Sequence, residues 1–332
     1  SPSQSLLLST LFSATLTYVT QLFHTRYPTG SSVQHSKLTE RILSMTSTSN
    51  ELTTSTPDKN IIRYTLKNDY MFRAVFQSCP RALEDLCRSL LHLAPEYELH
   101  VEIKNPIQLG QTPDSKEFIL DLALTINNNL FLNLEMQGYN DGYWPERSLS
   151  YTCRSFDNLN RGTQYKDVLP VLHIGFLDFT LFPEHPEFVA EYKMMNTNPE
   201  HRYFFSDKFR ISVVDLTQID RATEEDKKYG IDKWARLLTA TTREEIDMLT
   251  EKHEVFTGTA TIIYDFNEDR LMRQQCQARE DFLYWERIKE NRNKRVEAEL
   301  ANAKAELANK NAELEQQKAE LAKLRALLDS KQ

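Results

Sequence analysis

The most constraining stretch of this chain is a change of period at Phe118. From there Phe118, Leu120, Leu122, Leu124 and Ile126 alternate with Ile119, Asp121, Ala123 and Thr125. After Asn127-Asn128-Asn129, the run Leu130, Leu132, Leu134 and Met136 alternates with Phe131, Asn133, Glu135 and Gln137. A period of two predicts β-strands, and Asn tolerates the left-handed backbone of a tight turn, so the stretch reads as a hairpin. With the three Asn as the loop, Ile126 faces Leu130 and Asp121 comes to lie opposite Glu135. A slip of one residue pairs Leu120 with Gln137 and Asp121 with Met136, mixing polar with apolar on both faces, so the pattern itself selects the register. Directly opposed Cβ atoms lie about 5 Å apart. Two carboxylates at that separation repel unless a cation neutralises them. Mg²⁺ favours oxygen ligands from one or two acids, and such an ion polarises phosphate and lowers the pKa of bound water. The same two acids also fit the solvated face of an ordinary antiparallel pair.

Around the hairpin the pattern is mixed. Asn68-Asp69 precedes Tyr70-Met71-Phe72 and Val75-Phe76, apolar residues at helical spacing behind a capping residue. A second helical run, Ala82 to Leu91, ends at Ala94-Pro95. Glu146 to Asn160 reads as a helix ended by Arg161-Gly162. Val171 to Phe179, Phe188 to Met194 and Tyr203 to Leu216 read as strands, and Trp234 to Leu249 and Leu271 to Trp285 as helices. This order predicts an α/β fold with a mixed central sheet flanked by helices. His173, in an apolar strand, reads as a hydrogen-bonded core histidine.

The two ends differ from this core. Residues 1–56 hold 24 Ser or Thr, with no charge before Arg26 and no acid before Glu40, which predicts a disordered leader over 1–60. It resembles an organellar transit peptide only loosely, residues 1–44 are expected to be dispensable, and a cytoplasmic location is the simpler expectation. At the other end Leu300, Leu307, Leu314, Leu321 and Leu328 recur every seven residues among Ala, Glu and Lys. A leucine seam of this kind predicts a long helix over 286–332 and a homo-oligomer held by a coiled coil. The domain itself is expected over 61–285.

Composition removes other classes. Forty basic against 48 acidic residues give a net charge of −8, which excludes binding nucleic acid through bulk positive charge, so any such contact must be local. The four cysteines form no CxxC pair, so neither a disulfide framework nor a zinc module is indicated. No run is long and apolar enough for a membrane span.

Taken in order, Lys67-Asn68-Asp69-Tyr70-Met71-Phe72, Asp121 in its apolar strand, Asn133-Leu134-Glu135-Met136-Gln137, Arg147-Ser148-Leu149 with Tyr151, Gly162, Tyr165 and Pro170-Val171 form an ordered set. The set resembles the Rpn family of recombination-promoting nucleases and transposases, within the PD-(D/E)XK nuclease superfamily. The resemblance covers roughly residues 61–216. It implies a restriction-endonuclease-like core that cuts DNA with Mg²⁺ or Mn²⁺. It further implies that Asp121 and Glu135 hold the metal, that the backbone carbonyl of Met136 joins them, and that an acid of the first helix, Asp69 or else Glu98, completes the site. Gln137 stands where the superfamily more often has Lys; an amide orients water by hydrogen bonds but carries no charge. The chain departs from the family at Asp215-Leu216-Thr217, where Glu-Leu and a polar residue or Lys are usual.

Contact with DNA needs cations beside the metal. Arg147 and Arg154, with Arg161, are spaced by seven on one helix and Lys166 follows, an arrangement suited to phosphate and equally to a solvated face. Arg287, Lys289, Arg292, Lys294 and Arg295 form a second cluster, and Tyr139, Tyr143 and Trp144 are placed to stack on a base or to pack. The competing expectation is a non-catalytic interaction protein that keeps the fold and oligomerises through its tail.

Overall fold

The computed structural model describes residues 60–105, 107–108, 118–157, 164–251 and 253–329. The leader, apart from Asn60, and Arg161-Gly162 lie outside the described residues. Helix α1 (Asp69–Ser78) starts where its cap directs: the Asn68 side chain accepts from the N–H groups of Tyr70 and Met71. Helix α2 (Pro80–Leu90) follows at once, with Pro in the first turn, where a missing N–H leaves nothing unpaired. Strand β1 (Val101–Lys104) went unread in the sequence because, although it alternates, it is only four residues long. Strands β2 (Ile107–Gln108) and β3 (Phe118–Ile119) pair with each other as a separate ribbon.

The hairpin is β4 (Leu122–Ile126) and β5 (Leu130–Gln137), and it keeps the expected register, with Leu122 on Leu134, Ala123 on Asn133 and Ile126 on Leu130. Asn127 and Asn128 take φ of 48° and 54°, the left-handed turn that Asn tolerates. One expectation is corrected. The first strand is not continuous from Phe118, because the ladder stops at Leu122 and Asp121 sits in a bend. Its carboxylate is spent on the partner strand instead, where Oδ2 accepts the backbone N–H of Met136 at 2.8 Å. A short acidic side chain that captures a backbone donor competes in this way with regular pairing.

Helix α3 (Trp144–Phe156) then crosses to β6 (Val171–Leu177), followed by β7 (Val189–Lys193) and β8 (Phe209–Asp215). The six-stranded sheet runs β1-β4-β5-β6-β8-β7, parallel between β5 and β6 and between β6 and β8, antiparallel elsewhere. Helices α4 (Glu224–Tyr229), α5 (Ile231–Thr239), α6 (Arg243–Thr250) and α7 (Glu254–Glu268) come next. The helix expected from Trp234 to Leu249 is thus two helices. Thr242 and Glu245 form a capping box that begins α6 and so ends the turn before it. Helix α8 (Arg270–Asp329) runs 60 residues, about 90 Å at 1.5 Å per residue. The boundary expected at 285/286 falls inside it.

The two sheet faces are covered differently. Leu132, Leu134 and Met136 of β5, with Leu172, Ile174 and Phe176 of β6, join the large core formed with α1, α2, α5 and α7. On the opposite face Phe131 and Val171 meet Tyr151 and Phe156 of α3, and Trp144 packs with Leu177 and Val213. Gly175 is required there, since a Cβ at that position would stand 2.1 Å from the Trp144 ring. Among the described residues no helix is long and apolar enough to cross a membrane.

Candidate active site

The α3 face of β5 turns polar toward its C-terminal end, and the acids gather there. Asp69, Asp121, Glu135 and Gln137 are each at most 9% exposed. Asp69 comes from the first turn of α1, Asp121 from the bend before β4, and Glu135 and Gln137 from β5. Burial, then the nearby carboxylates of Glu135 and Asp69, hold the Asp121 carboxyl well above the usual range, against the Met136 N–H and the Arg73 guanidinium. The three acids therefore lie within electrostatic reach of one another. Glu98, the alternative third acid, lies elsewhere: it is exposed, and its carbonyl accepts from Asn127 at the Asn turn, the far end of the hairpin from Asp121.

Two guanidiniums balance the cluster. Arg147 reaches back from the first turns of α3, with one nitrogen 2.9 Å from Glu135 Oε1, a bond to Gln137 Oε1, and another nitrogen 3.2 Å from Asp141 Oδ2. Burial opposes its charge, but Glu135 and Asp141 together raise its pKa, and it lies over the Trp144 ring. Gln137 is thereby fixed at both ends, since its Nε2 donates to the Tyr139 carbonyl at 2.8 Å. Arg279, from α8, grips both oxygens of Asp69, with Nε at 2.9 and 2.6 Å. Glu135 Oε2 has no hydrogen-bond partner; His173, fully buried, lies 3.4 Å away with neither ring nitrogen bonded. A cavity of about 390 Å³ opens between Tyr139, Asp141 and Arg147 on one side and Arg279, Phe282 and Lys289 of α8 on the other; the two arginines that bond Glu135 and Asp69 line it, and Asp69, Asp121 and Glu135 do not.

The donors fit a hard divalent ion in kind: several carboxylates, one oxygen orphaned, and a cluster whose mutual repulsion calls for positive charge. As they stand, however, Asp69 and Glu135 are turned onto arginines and Asp121 onto the Met136 N–H, and among the described residues no group of three or more His, Cys, Asp or Glu is arranged to ligate a metal. Arg147 and Arg279 supply the compensating charge instead.

The other sequence candidates separate. Arg147, expected on a DNA-facing stripe, points into the acid cluster; Arg154, seven residues on, is half-buried; Lys166 is exposed in a short 3₁₀ turn, where its carbonyl accepts from Lys208. Of the second basic cluster, Arg287 lies over the Tyr139 ring and Lys294 donates to the Asp141 carbonyl, so α8 is tied to the loop after β5. Trp144 is buried and Tyr143 half exposed. The sequence reading missed Arg279, whose approach to Asp69 spans 210 residues with no local signal. It placed His173 in the core as a hydrogen-bonded histidine, whereas neither ring nitrogen is hydrogen-bonded, and it did not place it beside Glu135, a contact that follows from the parallel β5–β6 pairing.

No curated protein and no solved structure matches the chain at a significant level. The profile of the PD-(D/E)XK nuclease family transposases matches residues 66–291, a span that holds the sheet, every acid of the cluster and both arginines, and the chain belongs to that family.

Proposed function

We propose that the protein is a Mg²⁺- or Mn²⁺-dependent DNA endonuclease that hydrolyses phosphodiester bonds with little sequence preference. The observation that carries this reading is the convergence of Asp69, Asp121 and Glu135 from three separate elements, with the arginines bonded to Glu135 and Asp69 lining an open cavity. Crowding buried acids together costs stability, and such arrangements concentrate at functional sites.

In this reading Asp121 and Glu135, with the carbonyl of Met136, hold the ion, and Asp69 completes the set once Arg279 releases it. The ion supplies Lewis acidity toward the phosphate and a lowered pKa for the attacking water. Gln137 orients that water through its amide. It carries no charge, and Arg147, bonded to both Gln137 and Glu135, provides the fixed cation at that corner of the site. Arg154 and Lys166 contact flanking phosphates.

The test is plasmid cleavage. Supercoiled DNA is incubated with the full chain and Mg²⁺ or Mn²⁺, with a chelator control and with the Asp121→Ala, Glu135→Ala double variant. Cutting by the wild type alone, lost with chelator, is the expected result. Equal cutting by the variant identifies a contaminant, and no cutting by either protein favours a non-catalytic binding role for the fold.

A further inference from the structure

Every described side chain of α8 from residue 291 to 323 is exposed. Within that stretch Leu300, Leu307, Leu314 and Leu321 are 49–61% exposed, an apolar row that no described residue covers. We infer that this row is covered by a second copy of the same chain, in parallel and in register, so that both copies carry their acid clusters at the same end of the pair.

The charges around the row carry the orientation. In the seven-residue repeat labelled a to g, two assignments place the leucines in the seam. With leucine at d, the a positions are Glu297, Lys304, Asn311 and Lys318, all polar. With leucine at a, the d positions are Ala303, Lys310 and Gln317, which is the drier seam. That frame places Glu299, Glu306 and Glu313 at g and Lys304, Asn311 and Lys318 at e. In a parallel pair each g residue meets the e residue five positions on in the other helix. The meetings are Glu299 with Lys304, Glu306 with Asn311 and Glu313 with Lys318, every one attractive or hydrogen-bonding. An antiparallel pair sets g against g, Glu against Glu, and e against e, Lys against Lys. Within one chain Lys318 pairs with Glu315 at 2.8 Å, and both remain largely exposed, so Lys318 is free to bridge to the partner as well. Lys310 and Gln317 at d weaken the seam and pin its register, as polar seam residues do. Arg279 and Leu300 lie 21 residues apart on one helix, about 32 Å, so the parallel pair keeps both clusters on the same side of the coil. Where the nuclease reading of the site holds, such a pair makes two cuts in one encounter.

The full chain is tested with Cys153, the exposed cysteine, replaced by Ser. Ala303→Cys and Gln317→Cys are made singly in that background, and mass is measured by light scattering across the micromolar range before and after oxidation. A dimer that both single variants lock as a disulfide is expected. A monomer throughout, or a dimer that at most one variant locks, overturns the proposal. Glu299→Lys, Glu306→Lys and Glu313→Lys together are expected to weaken dimerisation at least tenfold. Adding Lys304→Glu and Lys318→Glu is expected to restore it. No change from the triple variant overturns the parallel arrangement. None of these readouts uses DNA cleavage, so they stand or fall apart from the nuclease reading.

Discussion

The two faces of β5 divide the labour of one strand. The side chains of Leu132, Leu134 and Met136 point into the large core and hold the sheet against its helices. Phe131, Asn133, Glu135 and Gln137, one step out of phase, face α3, and only Phe131 is apolar. Along that face the groups grow more demanding toward the C-terminal end. Asn133 is answered by Ser155 at 2.8 Å, Glu135 by Arg147, and Gln137 by Arg147 and a backbone carbonyl. Stability and chemistry are thus separated by a single-residue phase, which a period-two backbone makes possible.

The comparison can be broken first on the apolar side. Leu134→Ala opens a cavity in the large core and is expected to lower stability by about 2–5 kcal/mol in urea titration, with cleavage per folded molecule nearly unchanged. Gly175→Ala tests the boundary between the two roles. Its methyl group meets the Trp144 ring beneath Arg147, so a loss of about 1–3 kcal/mol should arrive together with a fall in cleavage. On the polar side the signs reverse. Asp121→Asn is expected to abolish cutting while raising stability at pH 7 by about 1 kcal/mol, read as a higher Tm, because it removes a buried charge and keeps an oxygen for the Met136 N–H. The Asp121 carboxyl is raised in the folded state, so its penalty is absent below the ordinary carboxylate range near pH 4 and grows as the pH climbs above it. The gain from Asn should therefore vanish in acid; a gain that persists at pH 3 contradicts the account.

The smallest effect belongs to Tyr151, whose phenol is pushed up to about 12, chiefly by burial and then by Glu135. A raised phenol contributes stability that is complete below pH 10 and is lost as the pH rises through about 12. Tyr151→Phe should flatten the alkaline limb of a stability-against-pH curve and leave the neutral region almost unmoved.

What the sequence discloses follows the range of the interactions. The hairpin register was legible because a slip exposes its own error within twenty residues, and α1 was legible because Asn68 caps it locally. The break before α6 carried a readable signal in the Thr242 and Glu245 pair. Glu135 and Asp121 could be brought together from their strands alone. The inward turn of Arg147 could not, because its spacing with Arg154 suits an outward stripe equally well and only the packed position of α3 decides. Arg279 and His173 reach the acids through contacts between distant segments, whose geometry no periodicity encodes.

The tail and the acid cluster also share a beam. Arg279 grips Asp69 from the same unbroken helix that bears the leucine row. Between the two lie Arg287 and Lys294, moored to the loop after β5, so whatever seizes the leucines pulls on those moorings before it reaches the guanidinium that keeps Asp69 occupied.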